Sequence, residues 1–108
     1  MKSGLIEKQF RKLGFKCLPK QHINANGPDL VIIKGPKSYT VEIKNIKVTE
    51  RGSLQVPPVS IPRKGDDLIA IVISKDYVLI EPMKDHLKLC TGKGYRTMPV
   101  CLSQCNTK

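Results

Sequence analysis

Residues 27–47 read GPDLVIIKGPKSYTVEIKNIK, two runs of strand-forming residues separated by Lys34-Gly35-Pro36-Lys37. Asp29–Lys34 is almost continuously apolar, as a strand buried on both faces requires. In Ser38–Lys47, Tyr39, Val41 and Ile43 alternate with Thr40, Glu42 and Lys44. Successive strand side chains point to opposite faces, so Glu42 and Lys44 project from the same side. The Gly-Pro between the runs turns the chain back on itself, and the pair is predicted to be a hairpin. The turn cluster Asn24–Pro28 stands directly before Asp29.

On the N-terminal side, Leu5, Ile6, Phe10 and Leu13 fall on one helical stripe, which predicts an amphipathic helix over 3–13. Ser3 is its expected N-cap and Gly14 its C-terminal stop. Glu7 lies at the flank of the stripe, placed either to line a groove beside the core or to pair with Arg11 one turn on. Phe15–Ile23 reads as a strand near an edge, because Pro19 interrupts it. On the C-terminal side, Pro57, Pro58 and Pro62 exclude a regular helix through Val48–Lys64, which is expected to be a loop with at most one short turn. Asp67–Ser74 is a second fully apolar strand, Tyr77–Glu81 returns from it, and Met83–Cys90 has helical spacing. The fold class expected is α/β (α+β): a central mixed sheet of about five strands flanked by helices. Residues 1–90 form the domain, and residues 91–108 read as a polar, cysteine-containing tail.

The chain has 108 residues, enough for one domain, with 19 Lys+Arg against 9 Asp+Glu and a net charge of +10. Such an excess points to a polyanionic partner. The bases concentrate in the first half. Residues 1–20 hold six against Glu7 alone, and residues 34–51 hold five against Glu42 and Glu50. Aromatic residues make up 5% and Trp is absent, which argues against stacking platforms for single-stranded RNA. No apolar run has the length of a membrane span, and no membrane partner is expected. The expected setting is cytoplasmic and DNA-associated.

Asp29 opens one strand of the hairpin while Glu42 and Lys44 share a face of its partner. Two carboxylates within reach of one ion, beside an ammonium, suit a hard divalent cation, which takes one or two protein carboxylates and keeps several waters. Pro28-Asp29 followed by Glu42-Ile43-Lys44 resembles the motif of the PD-(D/E)XK, or restriction-endonuclease-like, nuclease superfamily. In length, helix-first order and charge the chain is most similar to its archaeal-type Holliday-junction resolvases. The resemblance implies a DNA endonuclease in which Asp29 and Glu42 hold Mg²⁺ or Mn²⁺ and Lys44 positions the attacking water. Glu7 would be an additional catalytic and metal-site carboxylate, and Gln55 an accessory polar residue. The superfamily's helix after the lysine is replaced here by the proline-rich segment. Lys8, Arg11, Lys12, Lys16, Lys34, Lys37 and Lys47 are the candidate DNA contacts, and a homodimer is expected because one site attacks one strand. Two alternatives stay open: a sequence-specific restriction or homing endonuclease of the same superfamily, and a non-catalytic basic nucleic-acid-binding module.

Two lesser sites remain. His22, beside the basic region, is a candidate for phosphate contact or proton transfer, though most such residues are plain strand-end side chains. His86, Cys90, Cys101 and Cys105 have a spacing permissible for structural zinc, but the expectation is reduced, unligated thiols and no zinc.

Overall fold

The computed structural model describes residues 2–19 and 27–98. Its elements are α1 (Lys2–Lys12), β1 (Lys16–Pro19), β2 (Leu30–Lys34), β3 (Lys37–Asn45), β4 (Lys47–Val48) and β5 (Leu54–Val56). A 3-10 turn (Ile61–Gly65), β6 (Leu68–Val72), β7 (Val78–Pro82), α2 (Met83–Lys88) and β8 (Arg96–Met98) follow. The main sheet is mixed and five-stranded, in the order β1-β2-β3-β6-β7, and a second sheet runs β4-β5-β8. Only the β3–β6 pair is parallel within the main sheet. The expected class and the five central strands are therefore present.

Helix α1 ends at a glycine cap. Gly14 has φ 91°, its N–H donates to the Arg11 carbonyl (3.0 Å), and Phe15 N–H reaches back to the Phe10 carbonyl (3.1 Å). These are the two bonds of a Schellman motif, closed by the edge-on contact of the Phe10 and Phe15 rings at 5.8 Å. Lys34 completes the cap, donating to the Leu13 carbonyl (3.1 Å) and lying over the Phe15 ring. The helix starts one residue earlier than expected, so Ser3 lies inside it. Leu13 falls in the cap, outside the apolar stripe, and is exposed. The β2–β3 hairpin closes through Gly35-Pro36, with Gly35 at φ 61° in the first central position, where a type II′ turn needs a positive value.

The main sheet carries apolar residues on both faces. Ile6 and Phe10 of α1 pack with Leu30, Ile32, Val41 and Ala70 on one side. On the other side Ile69 and Ile71 meet Val56, Val59, Met83 and Met98. Strand β6 is thus buried from both directions, as its uninterrupted apolar run anticipates, and each fully buried Ile contributes about 1.5–3 kcal/mol.

Two expectations are corrected. The segment Val48–Lys64 is more than a loop with one turn, because Leu54–Val56 is a strand pairing with both β4 and β8. The prolines fall after that strand, where they break nothing. Residues 91–98 do not hang free as a tail: β8 completes the second sheet, with Arg96 and Met98 buried. Of the strand expected over 15–23, Lys16–Pro19 is formed. Phe15 belongs to the α1 cap instead, and residues 20–23, with His22 and the turn residues up to Asn26, lie outside the described residues, as do Cys101 and Cys105.

Candidate active site

Strands β2 and β6 flank β3 and both begin beside its middle, Leu30 opposite Val41 and Leu68 beside Val41. Extending the antiparallel register by one residue sets Asp29 opposite Glu42. Because Leu30 and Val41 point toward α1, Asp29, Glu42 and Lys44 belong to the other face. Asp29 Oδ2 accepts the Ile43 N–H at 2.9 Å, so the carboxylate bonds β3 just where β2 has not yet begun. Glu42 is buried to 6% exposure, and Lys44 Nζ stands 3.9 Å from its Oε2.

Burial pushes the Glu42 carboxyl up to about 8 from its ordinary 4.5, the hydrogen bond to Asp29 and that residue's charge push the same way, and Lys44 opposes them. Like charges placed directly opposite across a strand pair repel, and one proton shared between two carboxylates is the usual relief. Asp66 adds to this negative potential. It is buried, with Oδ1 on Arg63 Nη1 at 3.3 Å and Oδ2 without a hydrogen-bond partner among the described residues. Burial raises its pKa above the usual carboxylate value, with Arg63 pulling it down. Next to it, Asp67 ties β6 to β3: its Oδ2 accepts the Thr40 N–H (2.9 Å) and its own N–H donates to Thr40 Oγ1 (3.0 Å). Sequence reasoning missed Asp66 and Arg63. The available signal was the pair Asp66-Asp67 standing before an apolar strand, as Asp29 stands before β2.

The structure brings Asp29, Glu42 and Lys44 together and does not add Glu7 to them. Glu7 sits on α1, which covers the opposite face, and its Oε1 accepts from Arg11 Nη2 at 2.9 Å. Among the described residues no three His, Cys, Asp or Glu side chains converge on one metal position. Two opposed carboxylates are a ligand set that a hard cation keeping most of its waters takes, and such a cation would displace the proton that burial holds on Glu42. Lys8, Arg11 and Lys12 lie exposed on α1, Lys16 on β1, Lys37 at the start of β3 and Lys47 on β4. Lys34 is engaged by the α1 cap. Gln55 lies on β5 in the second sheet, opposite Lys47.

His86 is fully buried, with its Nδ1 3.1 Å from Arg96 Nη1, and Arg96 is also paired with Glu81. An arginine only donates, so Nδ1 is the acceptor and Nε2 carries the proton toward Cys90 Sγ, 3.5 Å away. Burial lowers the His86 pKa and keeps the ring neutral. Within this network the ring joins α2 to β8. Presenting Nε2 to zinc would protonate Nδ1 against the guanidinium.

No protein-family model matches the chain, and no curated protein matches it. The fold is similar to that of a bacterial homing endonuclease, I-Ssp6803I, with a TM-score of 0.71 at 14% identity over 89% of this chain and 68% of that one. The likeness is one of architecture: a mixed α+β fold on a five-stranded sheet.

Proposed function

We propose that this protein is a metal-dependent endonuclease that hydrolyses DNA phosphodiester bonds. The observation that carries the proposal is the register of β2 on β3, which opposes Asp29 to Glu42 with Lys44 beside them, in a fold shared with a homing endonuclease. Asp29 and Glu42 would hold Mg²⁺ or Mn²⁺, whose chemistry is to acidify a bound water and neutralise charge on phosphate oxygens. The chain's own part is positioning. The Ile43 N–H fixes Asp29, the Thr40–Asp67 clamp fixes the strands on which the carboxylates stand, and Lys44 offers an ammonium to the attacking water and the developing phosphate charge. Arg63, held by Asp66 at the edge of this cluster, is a second cation for a phosphate.

Selection of a base sequence is favoured over selection of a branched junction, because the structural neighbour is a homing endonuclease. A homodimer follows from the chemistry, since one such site cuts one strand and a double-strand cut needs two sites related by a two-fold axis. Sedimentation with a duplex tests this, with two chains per duplex expected and a single chain excluding it.

The deciding experiment pairs two readouts on Asp29→Asn and Glu42→Gln. Nicking of supercoiled plasmid with Mg²⁺ should fall by two orders of magnitude or more, while duplex binding survives on the basic side chains. Lys44→Ala should stop nicking with metal binding retained. A Glu42→Gln protein that nicks like wild type makes this a basic DNA-binding module, and a four-way junction cut in preference to plasmid restores the resolvase alternative.

A further inference from the structure

The second sheet carries one polar rank on its outer side. Lys47 pairs with Gln55, and Gln55 with Thr97, so the three side chains stand in a row across β4, β5 and β8. The alternate residues Leu54, Val56 and Met98 turn inward to the apolar cluster around Ile69 and Ile71. Lys47 and Thr97 are accordingly exposed and Gln55 half-buried between them. We infer that this rank is a base-reading surface that enters the major groove of duplex DNA. The inference rests on the endonuclease assignment for its biological sense, though not for its test.

Four observations support it. Strands lie about 4.8 Å apart, so a rank across three of them spans roughly 10 Å, which fits a major groove about 12 Å wide and not a minor groove of about 6 Å. The side chains are of the kinds that read base edges: an amide for adenine, an ammonium for guanine, a hydroxyl and methyl for thymine. The β4–β5 turn beside them is held by three bonds. Thr49 N–H reaches the Ser53 carbonyl (2.8 Å), Gly52 N–H the Thr49 carbonyl (2.9 Å) and Ser53 N–H the Thr49 hydroxyl (3.1 Å), and the turn presents an exposed Arg51 for the flanking phosphate. Finally, the sheet continues the candidate active site. It packs on the face of the main sheet that bears Glu42 and Lys44, and β3 runs on into β4 through Ile46, whose N–H still bonds Val72 of β6 (3.0 Å).

The test is a binding selection from a randomised duplex library, using the full chain carrying Glu42→Gln so that no cleavage biases the pool. The parent should enrich a short motif. Adding Gln55→Ala or Thr97→Ala should each flatten the preference at one or two positions by roughly tenfold or more, with affinity for random duplex retained. Gln55→Glu, which keeps the side chain's shape, should shift its position toward cytosine, and a shift of that kind does not arise from misfolding. No enriched motif, or a motif untouched by all three changes, overturns the inference. The enriched duplex is then offered to the unmutated protein with Mg²⁺. A motif without cleavage refutes the nuclease and leaves the reading surface standing, while cleavage without a motif does the reverse.

Discussion

Glu42 faces a carboxylate across the hairpin and has an ammonium 3.9 Å away, and burial dominates the balance. In the metal-free fold its pKa rises from 4.5 to about 8, so between those values the folded protein holds a proton that the unfolded chain has released. Stability therefore falls as pH rises through that window. With a chelator present, the thermal midpoint should decline from about pH 5 to about pH 8, and Glu42→Gln, which never ionises, should flatten the decline. Parallel curves for the two proteins would show that Glu42 does not carry the effect. Glu42 and Lys44 were legible in the sequence because period-two alternation assigns them a common face, and Asp29 because the hairpin between the two runs brings the start of β2 back beside them. The register that sets it opposite Glu42 is given only by the fold. Asp66 was not, because it joins the cluster through the parallel pairing of β6 with β3, and no spacing within the chain encodes which distant strand lies alongside. Glu7 was legible as a flank residue, but its partner was ambiguous between a groove and Arg11, and the helix pairs it with Arg11.

Strand β8 shows where pattern reading ends at the scale of an element. Three residues are too few for a period, and the flanking Gly92 and Gly94 make the surroundings look like a tail. Tertiary contacts nevertheless bury Met98 to 2% exposure and hold Arg96 between Glu81 and His86. Met98→Ala should therefore cost about 2–5 kcal/mol in urea denaturation, as for other buried Met truncations, whereas Thr97→Ala on the outer side should stay within about 0.5 kcal/mol. Equal, small effects at both positions would return the segment to a loosely held tail. Strand β5 was hidden for a related reason. Its Leu-Gln-Val lies directly before Pro57 and Pro58, whose signal dominates the window although neither residue sits in the strand. The apolar runs of β2 and β6 and the alternating run of β3, which need no partner to be recognised, were placed correctly, and with them the core of the five-stranded sheet.

The charge of the whole molecule, +10, is legible from composition, but its division between two layers is visible only in the fold. Lys8, Arg11 and Lys12 stand on α1, over the face away from Glu42, whereas Lys47 and Arg51 belong to the sheet that packs on Glu42's side. Each phosphate neutralised adds about 0.9 to the slope of log binding constant against log salt concentration on duplex DNA. Replacing Arg51 by Ala should thus lower that slope by up to about 0.9, and adding Lys47→Ala, which removes a nearby charge, should lower it somewhat further, while replacing all three α1 bases should leave it nearly unchanged. Lys34→Ala serves as the control, since its ammonium caps α1 at the Leu13 carbonyl: it should reduce thermal stability and leave the slope nearly unchanged. The measurement is a salt titration of binding with cleavage blocked by Glu42→Gln, so that affinity and chemistry do not mix. If the α1 variant instead loses the larger slope, the duplex lies against the helical layer, and both the site face and the base-reading sheet would have to be reassigned together. The two faces are separated by the thickness of the sheet, so the two outcomes do not blur into one another.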